Sequence, residues 1–236
     1  MSSDLAARCV DPEILDRLPA SDPRAIGSRR DLARINALMF QPKITAALLL
    51  KHLPQPPRRM LEIGAGDGTF MLSVARRLAR HWPNVELTLL DRMDLVTREC
   101  RDGFEKLGWQ AQPVVADVFE WVEREGDARF DAITANLFLH HFSDAELSRL
   151  LSRLRPVAPI FVATEPLRAT FPLAVARLLW AIAANDVTRH DAATSVRAGF
   201  AGSELSDLWG TGTVIEERRA GLFTHAFAAA SRAFAP

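Results

Sequence analysis

The chain has 236 residues, 48% of them hydrophobic and 25% charged. That is the make-up of a globular protein with one large domain, or one domain and an appendage, and it excludes a disordered, collagenous or coiled-coil chain. The 29 Lys and Arg balance the 29 Asp and Glu, so no basic field exists to hold nucleic acid.

Cys9 and Cys100 stand outside any disulfide or zinc-knuckle spacing, and the first residues carry no apolar secretory signal, so a reducing cytoplasm is expected. Tyr is absent. In chain order, Pro12 to Leu18 and Arg30 to His52 read as helices, the second interrupted by Pro42. Pro54-Gln55-Pro56-Pro57 marks a boundary between a helical cap (1–53) and a main domain (58–236). Strands are then expected at Arg59–Ile63, Val85–Leu90, Trp109–Ala116, Phe130–Ala135 and Val157–Thr164. Helices fall between them at Thr69–His81, Leu95–Leu107, Phe119–Arg124 and Ser143–Leu154. The last opens on Ser143-Asp144-Ala145-Glu146, a capping-box spacing. Phe171–Ala184 reads as an apolar helix, too short and too interrupted by Arg177 to span a membrane. A short helix from Ser203 to Trp209 precedes terminal strands at Thr213–Arg219 and Leu222–Ala229. The alternation predicts an α/β doubly wound, mainly parallel sheet with ligands at the carboxyl ends of its strands.

Leu61-Glu62-Ile63-Gly64-Ala65-Gly66-Asp67-Gly68-Thr69 joins the first strand to the first helix, where glycines let backbone approach a ligand and a helix N-terminus offers free amides. Asp91 ends the second strand, where a carboxylate can accept both hydroxyl hydrogens of an adenosine ribose. Loop and acid together indicate an adenosine-containing cofactor. The third glycine follows the second by two positions, which departs from the dinucleotide order G-x-G-x-x-G and weakens an NAD reading.

With Glu62 two residues before Gly64, the acidic-x-Gly-x-Gly-x-Gly order resembles the first motif of class I S-adenosylmethionine-dependent methyltransferases. The resemblance covers roughly Arg58 to Ala230 and implies a seven-stranded Rossmann-like sheet whose last pair is antiparallel. It places Glu62 at the cofactor's methionine amino group, Asp117 at the adenine amino group with the amide of Val118 beside it, and Met93 against the adenine. Phe130-Asp131-Ala132-Ile133-Thr134-Ala135-Asn136, followed by Leu137-Phe138-Leu139-His140-His141-Phe142, is similar to the fourth-strand motif of small-molecule members and puts Asn136 at the cofactor.

Histidine is the side chain best poised to assist a phenol-like nucleophile at neutral pH, and His140 and His141 leave the fourth strand near the implied methyl. Adjacent residues point apart, so one of them at most is expected to be the base. Neighbouring histidines chelate one ion poorly and no third ligand stands at a known spacing, so no metal is expected. Glu165, ending the fifth strand, is a candidate to orient a histidine or to bind the acceptor; an edge carboxylate in water or paired with Arg168 is the structural alternative.

The segment at about 166–202 is read as a substrate-covering insertion. Arg189-His190-Asp191, Ser195-Val196-Arg197 and, in the cap, Arg30 to Asn36 look like bacterial methyltransferases of phenolic or quinone-like polyketide lipids. That similarity implies His190 at the acceptor and Arg34 closing over the cofactor. The leading expectation is therefore methyl transfer to a small, partly apolar acceptor, most simply a hydroxyl. An NAD-binding oxidoreductase and a cofactor-binding module without catalysis are the alternatives. Zero net charge and an apolar cap permit a homodimer without specifying one.

Overall fold

A computed structural model describes residues 5–19, 21–125, 128–177, 185–210 and 213–231, leaving out the side chains of 16 and 32–38. Five parallel strands, β1 (Arg59–Ile63), β2 (Glu86–Asp91), β3 (Gln110–Val115), β4 (Ala132–Asn136) and β5 (Ile160–Pro166), are continued by antiparallel β6 (Thr213–Ala220) and β7 (Thr224–Ala230). The sheet order is β3-β2-β1-β4-β5-β7-β6. Every residue of β4 is buried and only Arg59 of β1 is exposed, as expected for central strands covered on both faces. β4 and β1 lie side by side where the order reverses, so their carboxyl ends open a crevice.

The helices are α1 (Pro23–Leu38), α2 (Gln41–His52), α3 (Thr69–Leu78), α4 (Arg98–Glu105), α5 (Val118–Glu125), α6 (Asp144–Leu154), α7 (Thr170–Arg177), α8 (Asp186–Ala198) and α9 (Glu204–Trp209). The capping box of α6 forms as its spacing predicts: the Ser143 hydroxyl accepts from the Glu146 amide and the Glu146 carboxylate accepts from the Ser143 amide. One core, beneath α5, α6 and α9, gathers Leu61, Ile133, Phe161, Trp209 and Phe227. On the opposite face Leu48 and Leu49 of α2 share a core with Met60, Met71, Val74 and Trp109.

Four expectations are revised or sharpened. Pro12 to Leu18 forms only a 3-10 turn at Leu15–Arg17, because the Ile14 and Leu15 amides donate to the Asp191 carboxylate (both 2.9 Å) instead of to a helical ladder. The helix break expected at Pro42 falls at 39–40, just ahead of that proline. Pro42 opens α2, at a position where its missing N–H costs nothing, and the chain turns before it at Phe40 with φ 55°. β5 begins at Ile160 and runs through Pro166, which puts Glu165 inside the strand. Finally, residues 186–198 form α8, started by Asn185, whose side chain accepts from the Val187 amide. The apolar helix expected over Phe171–Ala184 is α7 as far as Arg177, and 178–184 lie outside the described residues.

Candidate active site

The turn after β1 carries three glycines in the left-handed region, Gly64 (φ 68°), Gly66 (φ 55°) and Gly68 (φ 77°). Each has a different reason to lack a side chain. A Cβ at Gly64 would stand 2.2 Å from the Phe138 ring, and one at Gly68 would stand 3.1 Å from the Cys100 sulfur. At Gly66 it would meet nothing within 4 Å, because that position faces open space. The Asp91 carboxylate ties the turn to the end of β2, accepting from the Gly66 amide (2.8 Å) and, through its other oxygen, from the Met93 amide (2.9 Å). A carboxylate offers about four acceptor positions, so Asp91 keeps capacity for further donors.

These residues border a cavity of about 770 Å³, within the range of small-molecule sites. Glu62, Gly64, Gly66, Asp91, Met93, Asp117, Val118 and Asn136 all line it, and Gly68 is not among the lining residues. Asp117 also caps α5, accepting from the Phe119 amide at 2.8 Å. Glu62 is 1% exposed and receives the Thr134 hydroxyl. Burial, with the charge of Glu165 behind it, pushes its carboxyl up to about 8 against the relief from Thr134. A buried acid that reaches an open cavity and has no cationic partner among the described residues suits a ligand that brings a positive group.

The wall after β4 is built differently. Leu137, at φ 49°, turns the chain sharply into a 3-10 turn, Leu139–His141. A positive φ is strained for a Leu side chain, and Glu165 holds the turn in place: one oxygen accepts from the Phe138 and Leu139 amides (3.0 and 2.9 Å). Its other oxygen stands 2.8 Å from His140 Nδ1. His140 is buried, with Nε2 facing the Glu13 carboxylate at 3.5 Å. Burial opposes charging of this ring, but the Glu13 and Glu165 carboxylates facing its two nitrogens outweigh it and push His140 up to about 9. His140 is thus held as an imidazolium at neutral pH, away from the cavity surface. His141 is the histidine that lines the cavity. The two rings do not point apart; their centroids are 4.3 Å from one another. Arg168, the alternative partner of Glu165, instead forks onto Glu204.

Residues 60–158 match the family described as Methyltransferase domain. Among curated proteins, the chain is 27% identical over 110 residues to cephaeline 6'-O-methyltransferase of Carapichea ipecacuanha, an alignment spanning 47% of this chain and 27% of that enzyme. It is 27% identical over 126 residues to strychnine O-methyltransferase of Strychnos nux-vomica, spanning 52% and 31%. To an uncharacterized methyltransferase of Mycobacterium tuberculosis it is 31% identical over 121 residues, spanning 50% and 56%. The chain therefore matches less than two thirds of the length of these relatives. The plantazolicin methyltransferase solved with SAH superimposes with a TM-score of 0.62 at 14% identity, over 90% of this chain and 92% of that one. A putative O-methyltransferase from Nostoc punctiforme gives 0.59 at 15% identity, over 95% and 64%. Over residues 60–158 the chain is thus similar to the methyltransferase domain family, and it shares the fold of the solved methyltransferases.

Not every residue expected at the site reaches the cavity: Gly68, His140 and Glu165 are not among its lining residues. His190 projects from α8 with 54% of its side chain exposed, beside Asp191 at 3.0 Å, and is not among the lining residues. The side chain of Arg34 lies outside the described residues. Three others were missed. Asp191, 2% exposed, anchors the N-terminal segment through the two amides named above. That segment brings Val10, Pro12 and Leu15 to the cavity and Glu13 to His140. Arg29 of α1 also lines the cavity. A carboxylate at the start of the chain gives no local signal that it will meet a loop more than a hundred residues later. Asp191 gives no local signal either, because Thr188, Arg189, His190, Thr194 and Ser195 around it are polar as well.

Proposed function

We propose that the chain transfers the methyl group of S-adenosylmethionine to an oxygen of a small, partly apolar acceptor of phenolic or polyketide type. The observation that carries the reading is Glu62: a buried carboxylate, raised to about 8, lies on the cavity beside a glycine turn open at Gly66. The cofactor's ammonium would draw off the Glu62 proton and pair with the carboxylate, a partner that the pyrophosphate of a dinucleotide does not offer. Asp91 would take the ribose hydroxyls, Asp117 and the Val118 amide the adenine edge, and Met93 its face. Arg29 supplies a cation to the same cavity for the ligand's carboxylate.

When bound, the sulfonium supplies an electrophilic methyl group and leaves as a neutral thioether. The protein's task is to hold the acceptor oxygen in line with that methyl and to exclude water. Phe138, Phe142, Val10, Pro12 and Leu15 give the remaining wall an apolar surface, suited to a ring or alkyl chain, and favour a small molecule over a nucleic acid. His141 is the acceptor-side residue, able to receive the hydroxyl proton as the C–O bond forms. His140 and Glu165 are positioning residues that fix its turn.

Incubation with methyl-labelled S-adenosylmethionine and a panel of phenols should label a phenolic ether. Labelling of amines or carbon acids alone would contradict the oxygen assignment, and no labelling with intact cofactor binding would leave a binding module without catalysis.

A further inference from the structure

Glu13, His140 and His141 each present a ligand atom, and these atoms lie within 4.8 Å of one another, with His141 on the cavity lining. We propose that this cluster is a binding site for one borderline divalent cation of the zinc or cobalt(II) type.

Four features support the assignment. The donor set, two imidazoles and a carboxylate, is one that zinc accepts when a fourth position stays open. The Glu13 oxygen and His140 Nε2 are 3.5 Å apart, longer than a good hydrogen bond of roughly 2.7–3.2 Å. Two ligands about 2.0–2.1 Å from a tetrahedral ion are separated by about 3.3 Å, so a small movement would seat an ion between them. His140 is already oriented as a ligand: its Nδ1 faces the buried Glu165 carboxylate at 2.8 Å, the carboxylate–histidine support that fixes a metal-binding ring and raises its basicity. Glu13 is held in the same way by the Ser195 hydroxyl.

Charge points in the same direction. Glu13 and Glu165 are two buried carboxylates on either side of one histidine ring, acidic surroundings that suit a dication. Arg8 is close enough to feel Glu165, but its guanidinium is committed to Asp144 and to the Phe142 and Ala198 carbonyls. His141 borders the cavity while Glu13 and His140 are buried, so the open position faces the cavity, where an acceptor oxygen or a water can occupy it. In that case His141 acts on the acceptor through the ion and not as a free base. The placement at the acceptor rests on the reading above; the binding of an ion does not.

The test is titration of the chelator-treated, full-length chain with cobalt(II) alone, followed by its visible absorption and competed with zinc. Saturation at one ion per chain is expected, with at least tenfold weaker uptake in His141→Ala and in Glu13→Gln, each checked for folding by circular dichroism. His141 is partly exposed, so its variant decides if Glu13→Gln does not fold. Glu165→Gln, which removes the support and not a ligand, should cost about 10–100-fold. Binding of S-adenosylhomocysteine to the chelated chain should stay within about twofold. No saturable uptake by the wild-type chain, or uptake weakened less than tenfold by His141→Ala, overturns the proposal. Cobalt uptake without S-adenosylhomocysteine binding would overturn the methyltransferase reading and leave the metal site standing.

Discussion

The cavity has two walls of different origin. On one side Glu62, Gly64, Gly66, Asp91, Asp117 and Val118 follow each other at the ends of successive parallel strands and their turns. On the other, His141 depends on a turn held by Glu165 of β5, a histidine facing Glu13 near the N-terminus, and a segment anchored by Asp191 of α8. The first wall has a buried acid with no cationic partner among the described residues, the second a buried imidazole between two acids. A site made of strand ends is fixed by the sheet itself and needs only its ligand to complete it. A site made of distant segments must carry its own partners.

Substitutions can break or sharpen that contrast. The largest effect is expected at Gly64→Ala, where a Cβ would fall 2.2 Å from Phe138 on backbone that Ala resists. Calorimetry should find S-adenosylhomocysteine binding lost. Gly66→Ala meets no neighbour and should retain the fold at a cost of about 1 kcal/mol of backbone strain. Next, His141→Ala should lower kcat by about 10²–10⁴ with cofactor affinity unchanged, and loss of both together would merge the two walls into one.

Glu62→Gln should weaken cofactor binding by about 10–100-fold, as loss of a charge-assisted hydrogen bond does, while raising Tm at pH 8. The sign follows from a folded-state carboxyl raised from 4.5 to about 8. Below pH 4.5 folded and unfolded chains are both protonated. As pH rises the unfolded chain loses its proton first, so the wild type is progressively destabilised through about pH 8. The Tm gap between variant and wild type should therefore widen across that window, and a gap flat with pH would show that Glu62 is not the buried acid described. Smaller still, Asp191→Asn removes one of two acceptors for the Ile14 and Leu15 amides. It should raise the acceptor KM by a few fold, for about 1 kcal/mol of hydrogen bonding, without changing cofactor affinity. His190→Ala, on a half-exposed side chain off the cavity, should change kcat/KM less than about twofold.

What could be read from the sequence divides along the same line. Arg59–Ile63 as the first strand, the capping box at Ser143 and the glycine turn rest on signals a few residues long, so local physics determines them, whereas the antiparallel last pair follows from the family resemblance alone. The spacing rule for metal ligands found no third donor beside His140-His141 because Glu13 reaches the pair only through the fold. Pro12 to Leu18 read as helix because composition does not show that Asp191 takes two of its amides. α8 went unread because its starting signal is a single Asn ahead of a run rich in Thr, Ser, Arg and Asp, with little apolar contrast.

The central claim, that Glu62 receives the cofactor's ammonium, is tested most directly by isothermal titration with S-adenosylhomocysteine at pH 7 in two buffers of different ionisation enthalpy, for wild type and Glu62→Gln. The account predicts one site per chain with release of a proton on binding, weakened and without proton release in the variant, and no heat with NADH. Binding of equal strength in both chains, or saturable binding of NADH in place of S-adenosylhomocysteine, would contradict it.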